Sequence, residues 1–182
     1  MLKATNLHKY YGSFHALKGF SLTLNPGEVV ALLGLNGAGK TTCIRILTGY
    51  MLPSEGEVTI DGQDVFGSPV EIKEKIGYLP EVPPLYPELT VEDYLRFIAR
   101  MRGLPEHEFE SEFLRVTQIT QLEKARASRI RHLSLGYRKR VGIAQALVGS
   151  PPLLIFDEPI SGLDPRQIIE VRQLIRSLAG RH

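Results

Sequence analysis

The apolar positions of this chain change period several times, and each change predicts an element. Val29 to Leu33 is an unbroken apolar run, partly β-branched, bounded by Gly27 and Gly34. Such a run predicts a buried strand. Directly after it, Cys43, Ile44, Ile46 and Leu47 recur at helical spacing between Lys40 and Gly49. Strand, glycine-rich loop and helix therefore follow one another. Residues 2 to 33 as a whole read as strand-rich. EVTIDGQ at 57–63 predicts a short strand with a turn at Asp61 and Gly62. Ile76 to Leu79 predicts another strand, stopped by Pro80.

Past a proline-rich break between Pro83 and Pro87 the pattern becomes helical. Thr90 is placed to cap a helix reaching Ile98, with Asp93 at the capping-box position. The charged stretch from Pro105 to Ala127 also reads as helix. Leu153 to Phe156 returns to a buried strand. Pro165 to Leu178 then aligns Ile168, Val171, Ile175 and Leu178 on one helical face. The predicted architecture is α/β: a β-rich start, a parallel α/β core, and a helical insertion over about 83–135.

The chemistry sits at two of these junctions. Gly34, Leu35, Asn36, Gly37, Ala38, Gly39, Lys40 and Thr41 fit GxxxxGK[ST], between a predicted strand and a predicted helix, with Thr42 next in line. Glycines let the backbone turn tightly and aim several N–H groups at phosphate oxygens. The helix N-terminus adds partial positive charge. Lys40 supplies a full charge for the outer phosphates, and Thr41 a hydroxyl for magnesium. The competing reading, a glycine-rich turn with a chance Lys-Thr, lacks any reason for the strand–loop–helix context. At the other junction, LLIFDE places Asp157 and Glu158 at the end of a predicted strand. Strand neighbours point to opposite sides, so Asp157 can hold magnesium through water while Glu158 faces an attacking water. Phosphoryl transfer needs both functions.

Composition narrows the classes further. The chain has 182 residues, 43% hydrophobic and 23% charged, ordinary for a globular domain. A net charge of +2, from 22 basic and 20 acidic residues, gives no sign of a nucleic-acid binder. A basic run from Lys124 to Arg140 carries the single Tyr137 and no aromatic interleaving that would support base stacking, and it reads as a solvated helical face. The single cysteine, Cys43, excludes an internal disulfide framework and reads as a packed thiol. His8, His15, His107 and His132 lack metal-ligand spacing. No apolar run approaches the ~18 residues that span a bilayer, and the N-terminus carries no apolar signal segment. Any membrane role is expected to come through a partner.

The order of further motifs resembles one family. LSLGY at Leu133 to Tyr137 resembles the ABC signature, usually LSGGQ. ISGLDP at Ile160 to Pro165 follows the two acids as the family's D-loop does, and YLPE at Tyr78 to Glu81 occupies the Q-loop position. With the phosphate loop and LLIFDE standing as Walker A and Walker B, the chain is similar to ATP-binding subunits of ABC transporters over nearly all its length. The resemblance implies an ABC-type P-loop NTPase fold using ATP and Mg2+. It implies that Tyr11 stacks on adenine, and that Ser134 and Gly136 contact the γ-phosphate bound to an opposite subunit. It places Asp164 at a dimer seam and Glu81 beside magnesium and water. It implies a second ATP-binding subunit, in a homodimer, and an integral membrane permease as partners, with no nucleic acid, at the cytoplasmic face of the membrane. Leu135, Tyr137 and Glu81 depart from the usual signature glycine, signature glutamine and Q-loop glutamine. These departures look like the type-2 exporter subgroup, including gliding-motility and multidrug-type ATPases.

The family continues past the D-loop helix into an apolar strand ending in a switch histidine. Here that helix is followed by Gly180 and His182. The expectation is a C-terminally truncated domain, 1–182, with part of its core missing. The alternatives are a nucleotide-binding module without efficient turnover, or a soluble ABC ATPase. A repair-type ATPase would need a long heptad segment that is absent here, a translation factor would carry two such domains, and no guanine-reading Asn-Lys-x-Asp marks a GTPase.

Overall fold

Strand β1 (Leu2–Tyr11) pairs antiparallel with β2 (Phe14–Leu24) on one side and β3 (Glu55–Ile60) on the other. A turn at Asp61 and Gly62 leads to β4 (Gln63–Asp64), giving the sheet order β2-β1-β3-β4. The computed structural model describes residues 1–67 and 69–182. It divides into two compact units, Met1–Ile76 with Ala179–His182, and Gly77–Leu178.

In the first unit the alternation of β1 changes phase. Leu2 and Ala4 are buried, and the next buried residue is Leu7. The register shifts between Ala4 and Leu7, where Asn6 takes φ 48°. A bulge inserts one residue and moves the buried set to odd positions. Helix α1 (Lys40–Leu47) buries Cys43, Ile44, Ile46 and Leu47, the stripe expected from the sequence. Burial pushes the Cys43 thiol up to about 12, as suits a packed thiol. Helix α2 (Pro69–Glu74) completes the unit.

The run from 29 to 33 is not a strand. Val29 is 63% exposed and Leu33 88% exposed, and no strand pairs with the run among the described residues. Apolar, β-branched composition favours a strand, but the ladder hydrogen bonds come from a neighbour. None of the described strands is paired with it.

The second unit begins at the middle of β5 (Ile76–Leu79), which pairs with β6 (Leu153–Phe156) in a two-stranded sheet. Of the expected parallel core, these two strands are formed. β6 is half-buried rather than fully buried. Helix α3 (Val91–Met101) extends three residues beyond its expected end at Ile98. Its cap is as read: the Thr90 hydroxyl accepts from the Asp93 N–H at 3.1 Å and donates to the Asp93 carboxylate at 2.6 Å. The helix expected over 105–127 is shorter. Helix α4 covers Phe109–Thr120 and ends where Gln121 turns left-handed, with single 3-10 turns before and after. Helices α5 (Leu135–Leu147) and α6 (Pro165–Leu178) close the unit. Its core includes Leu79, Tyr94, Phe113, Ile143 and Val171. Full burial of such side chains contributes about 1.5–3 kcal/mol each.

The basic run is a solvated face only in part: Lys124, Arg129, Arg131 and Arg138 are exposed, whereas Arg126 and Arg140 are half-buried and Lys139 is buried. The Arg126 guanidinium donates to Glu92 at 2.7 and 2.8 Å and to Glu110 at 2.6 Å, and lies 4.6 Å from the Phe113 ring centroid. Arg96 also donates to Glu92, at 3.0 Å. Arg126, then Arg96, hold the Glu92 carboxyl down at about 2. Arg131 pairs with Glu88 at 3.0 Å and Arg140 with Glu170 at 2.6 Å. Lys139 is buried at 3% exposure. Charge counting along the sequence missed the acids that fold against this run. No helix among the described residues is long and apolar enough to cross a membrane.

Candidate functional site

The phosphate-type loop opens α1 in the first unit. Ala38 donates its N–H to the Leu35 carbonyl at 3.1 Å, which tightens the turn. Gly39 is the N-cap residue, at φ 88°, and makes no side-chain cap. A Cβ there would stand 2.5 Å from the Ala16 carbonyl oxygen of β2. Only glycine meets both conditions without strain. The first turn of α1 holds no acidic residue, so no carboxylate of that turn competes for its amides and partial positive charge. Lys40 donates to the carbonyls of Gly34 and Leu35, at 2.9 and 3.2 Å, and so lies folded over its own loop. Thr41 is exposed and Thr42 half-buried. Gly34, Leu35, Asn36, Gly37 and Ala38 are all exposed. The loop has the form expected from the sequence, apart from the missing strand before it.

A cavity of about 550 Å³ lies beside this loop, lined by Gly37 and Ala38 and by β2 residues including Phe14, His15 and Ala16. Tyr11 does not line it. Tyr11 ends β1 opposite Phe14, is 46% exposed, and donates its hydroxyl to the Met51 sulfur at 3.0 Å. Phe14, at 63% exposure, is a second open aromatic face that the sequence reading did not single out. Its signal was available: the hairpin puts residues 11 and 14 side by side. His8 and His15 face each other across the hairpin, ring nitrogens 3.0 Å apart, in a packing role.

The acids lie in the second unit. The Asp157 N–H donates to the Leu79 carbonyl at 2.8 Å, carrying the β5–β6 pairing one residue past the strand. Asp157 is 3% exposed. Glu158 is exposed and takes φ 46°. The expected split, one acid inward and one outward, is present, but strand alternation does not produce it. β6 ends at Phe156, so both acids lie past the strand, and the backbone at Glu158 is left-handed. Such a conformation costs a non-glycine residue about 1–2 kcal/mol and persists only where surrounding contacts enforce it.

One of those contacts is Lys139. Its ammonium donates to the Glu81 carbonyl at 2.5 Å and to the Glu158 carbonyl at 3.4 Å. Burial lowers its pKa, while the fields of Glu81, Glu158 and Asp157 favour its charge. The unit thus brings Glu81, Asp157 and Glu158 around one buried cation. Sequence reading missed Lys139, although it lies three residues after buried Gly136 and four before buried Ile143 on α5.

The signature residues form a separate corner of the same unit. Ser134 caps α5, its hydroxyl accepting from the Tyr137 N–H at 3.3 Å. Gly136 is buried, and a Cβ there would lie 2.7–2.9 Å from the Gln167 amide group. Asp164 accepts from the Gln167 N–H at 2.9 Å and so caps α6. Leu135 and Tyr137 stand 42% exposed beside this corner. Thr41 and Asp157, the two oxygen donors expected for Mg2+, are of the hard type that this ion takes. One belongs to each unit.

Known proteins similar to this chain identify its family. The model of the family described as ABC transporter matches residues 17–161. The bacitracin transport ATP-binding protein BcrA of Bacillus licheniformis is 40% identical over 179 residues, 98% of this chain and 58% of that protein. The lantibiotic transport ATP-binding protein SrtF of Streptococcus pyogenes is 38% identical, across 97% of this chain and 74% of its own length. The structure of an ATP-binding subunit of an ABC transporter superposes with TM-score 0.87 at 35% identity, covering 100% of this chain and 75% of that one. A dimeric post-hydrolysis state of the ATP-binding cassette MJ0796, bound to ADP and Pi, superposes with TM-score 0.86 at 29% identity, covering 98% and 83%. The chain spans 57–59% of the length of the first three curated relatives it matches.

Proposed function

Since the chain belongs to the ABC transporter family, with the ABC-type P-loop NTPase fold, we propose that it binds and hydrolyses Mg2+-ATP as the energy-supplying part of a transporter. The observation that carries this reading is the loop around Gly39. Its left-handed N-cap, its acid-free first helical turn and the ammonium of Lys40 make a cradle for a polyphosphate. Gly34 to Thr42 bind the phosphates. Tyr11 stacks on the adenine, with Phe14 as its neighbour at the hairpin end. Thr41 and Asp157 hold Mg2+, and Asp157 does so from a buried position that limits its rotamers. A bound Mg2+ supplies positive charge to the phosphate oxygens. Glu158, exposed beyond the strand, orients and deprotonates the attacking water, and Glu81 stands beside it.

The same reading takes Ser134 and Gly136 to an ATP held by a second copy of the chain, with Asp164 at the seam. It sets the domain at 1–182, with the region near 83–135 as its helical part. A membrane-embedded permease is the other partner, so the site of action is the cytoplasmic face of the membrane. The bacitracin and lantibiotic transport relatives, together with Glu81, Leu135 and Tyr137, support placement among the exporter-type subgroup.

A paired experiment tests the assignment. Lys40→Ala is expected to abolish ATP binding at millimolar nucleotide, because it removes the point charge on the outer phosphates. Glu158→Gln is expected to keep ATP binding and lower turnover by about 10²–10⁴. Unchanged affinity in the first variant, or turnover within about twofold of the parent in the second, would overturn the corresponding role.

A further inference from the structure

We propose that Lys139 is a positioning residue for hydrolysis: its ammonium ties the main chain of Glu81 and of Glu158 to helix α5 and supplies the positive charge against which Glu81 is tolerated. The inference rests on the reading of Glu158 as the water-activating group.

Three observations converge. Lys139 is 3% exposed, and lysine is almost never buried without a partner. Its partners are two carbonyl oxygens, of Glu81 at 2.5 Å and Glu158 at 3.4 Å, which belong to the two segments that carry the catalytic acids. One of these carbonyls is that of the residue at φ 46°. The Glu158 carbonyl also accepts from the Ser161 N–H at 3.1 Å. A left-handed glutamate needs such outside contacts, since its own Cβ disfavours the conformation. Lys139 supplies one of them, and the same ammonium fixes the Glu81 loop. The two segments then cannot shift independently of α5.

The charge has a separate use. The ammonium meets the main chain of Glu81 and of Glu158, so the segments that carry the carboxylates of Glu81, Asp157 and Glu158 lie next to it, and their fields favour its charge. The ABC Q-loop usually has a neutral glutamine at the position of Glu81. A third carboxylate beside a triphosphate raises the repulsion, and a buried ammonium facing the same loop offsets it. Lys139 and Glu81 are accordingly a matched pair, one charge permitting the other.

The test measures Mg2+-ATP turnover and ATP binding in the full-length protein carrying Lys139→Met, Lys139→Gln, or either change combined with Glu81→Gln. Both single variants are expected to lower kcat by roughly tenfold to a hundredfold, the scale of a misplaced reacting group, with KM for ATP within about twofold. Adding Glu81→Gln is expected to restore most of the kcat lost in Lys139→Gln, because that pair keeps an N–H donor and removes both charges. The rescue is a readout that a merely structural lysine would not give. Lys139→Gln also carries the test if Lys139→Met does not fold. Unchanged kcat in Lys139→Gln, or an equal loss with and without Glu81→Gln, would overturn the proposal. Turnover lost in Glu158→Gln but intact in Lys139→Gln overturns this inference alone. Turnover intact in Glu158→Gln overturns the reading of Glu158 and this inference with it.

Discussion

Replacing Gly39 by alanine tests the cradle directly. Two costs arise at that position. At φ 88° an alanine is in left-handed territory, at about 1–2 kcal/mol. Its Cβ would also stand 2.5 Å from the Ala16 carbonyl oxygen, against about 3.5–4.0 Å for a favourable contact. The obstacle is backbone of β2, so it cannot swing aside as a side chain would. The loop must retreat by about 1 Å to regain van der Waals distance. Such a retreat turns the first amides of α1 away from the phosphates. Gly37 separates the two costs. It has φ 81°, and nothing lies within 4 Å of its would-be Cβ. Gly37→Ala therefore reports the conformational term alone, while Gly39→Ala adds the collision. The assay is calorimetric titration with ATP, beside thermal unfolding of each variant. At about 1.4 kcal/mol per tenfold, the conformational term alone corresponds to about 5- to 30-fold, divided between ATP affinity and stability. Gly39→Ala should exceed that total and should weaken ATP more than Gly37→Ala does. Equal ATP affinities for the two variants, with equal melting temperatures, would refute the close approach to β2 as the constraint on the loop.

Two further outcomes are expected. Tyr11→Ala weakens ATP by about 1–3 kcal/mol while Tyr11→Trp retains affinity; equal affinity for Tyr11→Ala and the parent would move the adenine contact to Phe14. The Glu92 carboxyl, held down at about 2 chiefly by Arg126, adds stability that is complete above its ordinary value of 4.5 and fades as pH falls through the window down to about 2. The parent should therefore be more stable than Glu92→Gln at neutral pH, and the gap should narrow across that window in acid titrations followed by circular dichroism. A constant gap would count against the ion pairs as its source.

How far the sequence was readable depends on whether the information was local. The capping box at Thr90 and Asp93, the turn at Asp61 and Gly62, the stop at Pro80 and the apolar stripe of α1 all depend on residues a few places apart. Each appears where read. Residues 29–33 failed because strand formation depends on a neighbour, which composition does not report. Lys139 failed for a related reason. In a count of charges it joins Arg138 and Arg140 as surface, whereas helical phase places it inward with Gly136 and Ile143. Glu158 is exposed, but it lies past the end of β6, where strand alternation no longer sets its direction. A positive φ at a glutamate cannot be read from propensity, because glutamate has no preference for it.

That same φ gives one position two incompatible demands. Glycine or asparagine at 158 would relieve the backbone and make the domain sturdier, since the left-handed region suits them better. Neither carries the carboxylate. Selection for persistence and selection for turnover therefore pull position 158 in opposite directions. Under the proposed role, turnover requires glutamate here against the local conformational preference. In a copy released from that duty, drift has a downhill route at this codon, so relaxed descendants of such a protein should lose the acid here before they lose the buried aspartate beside it.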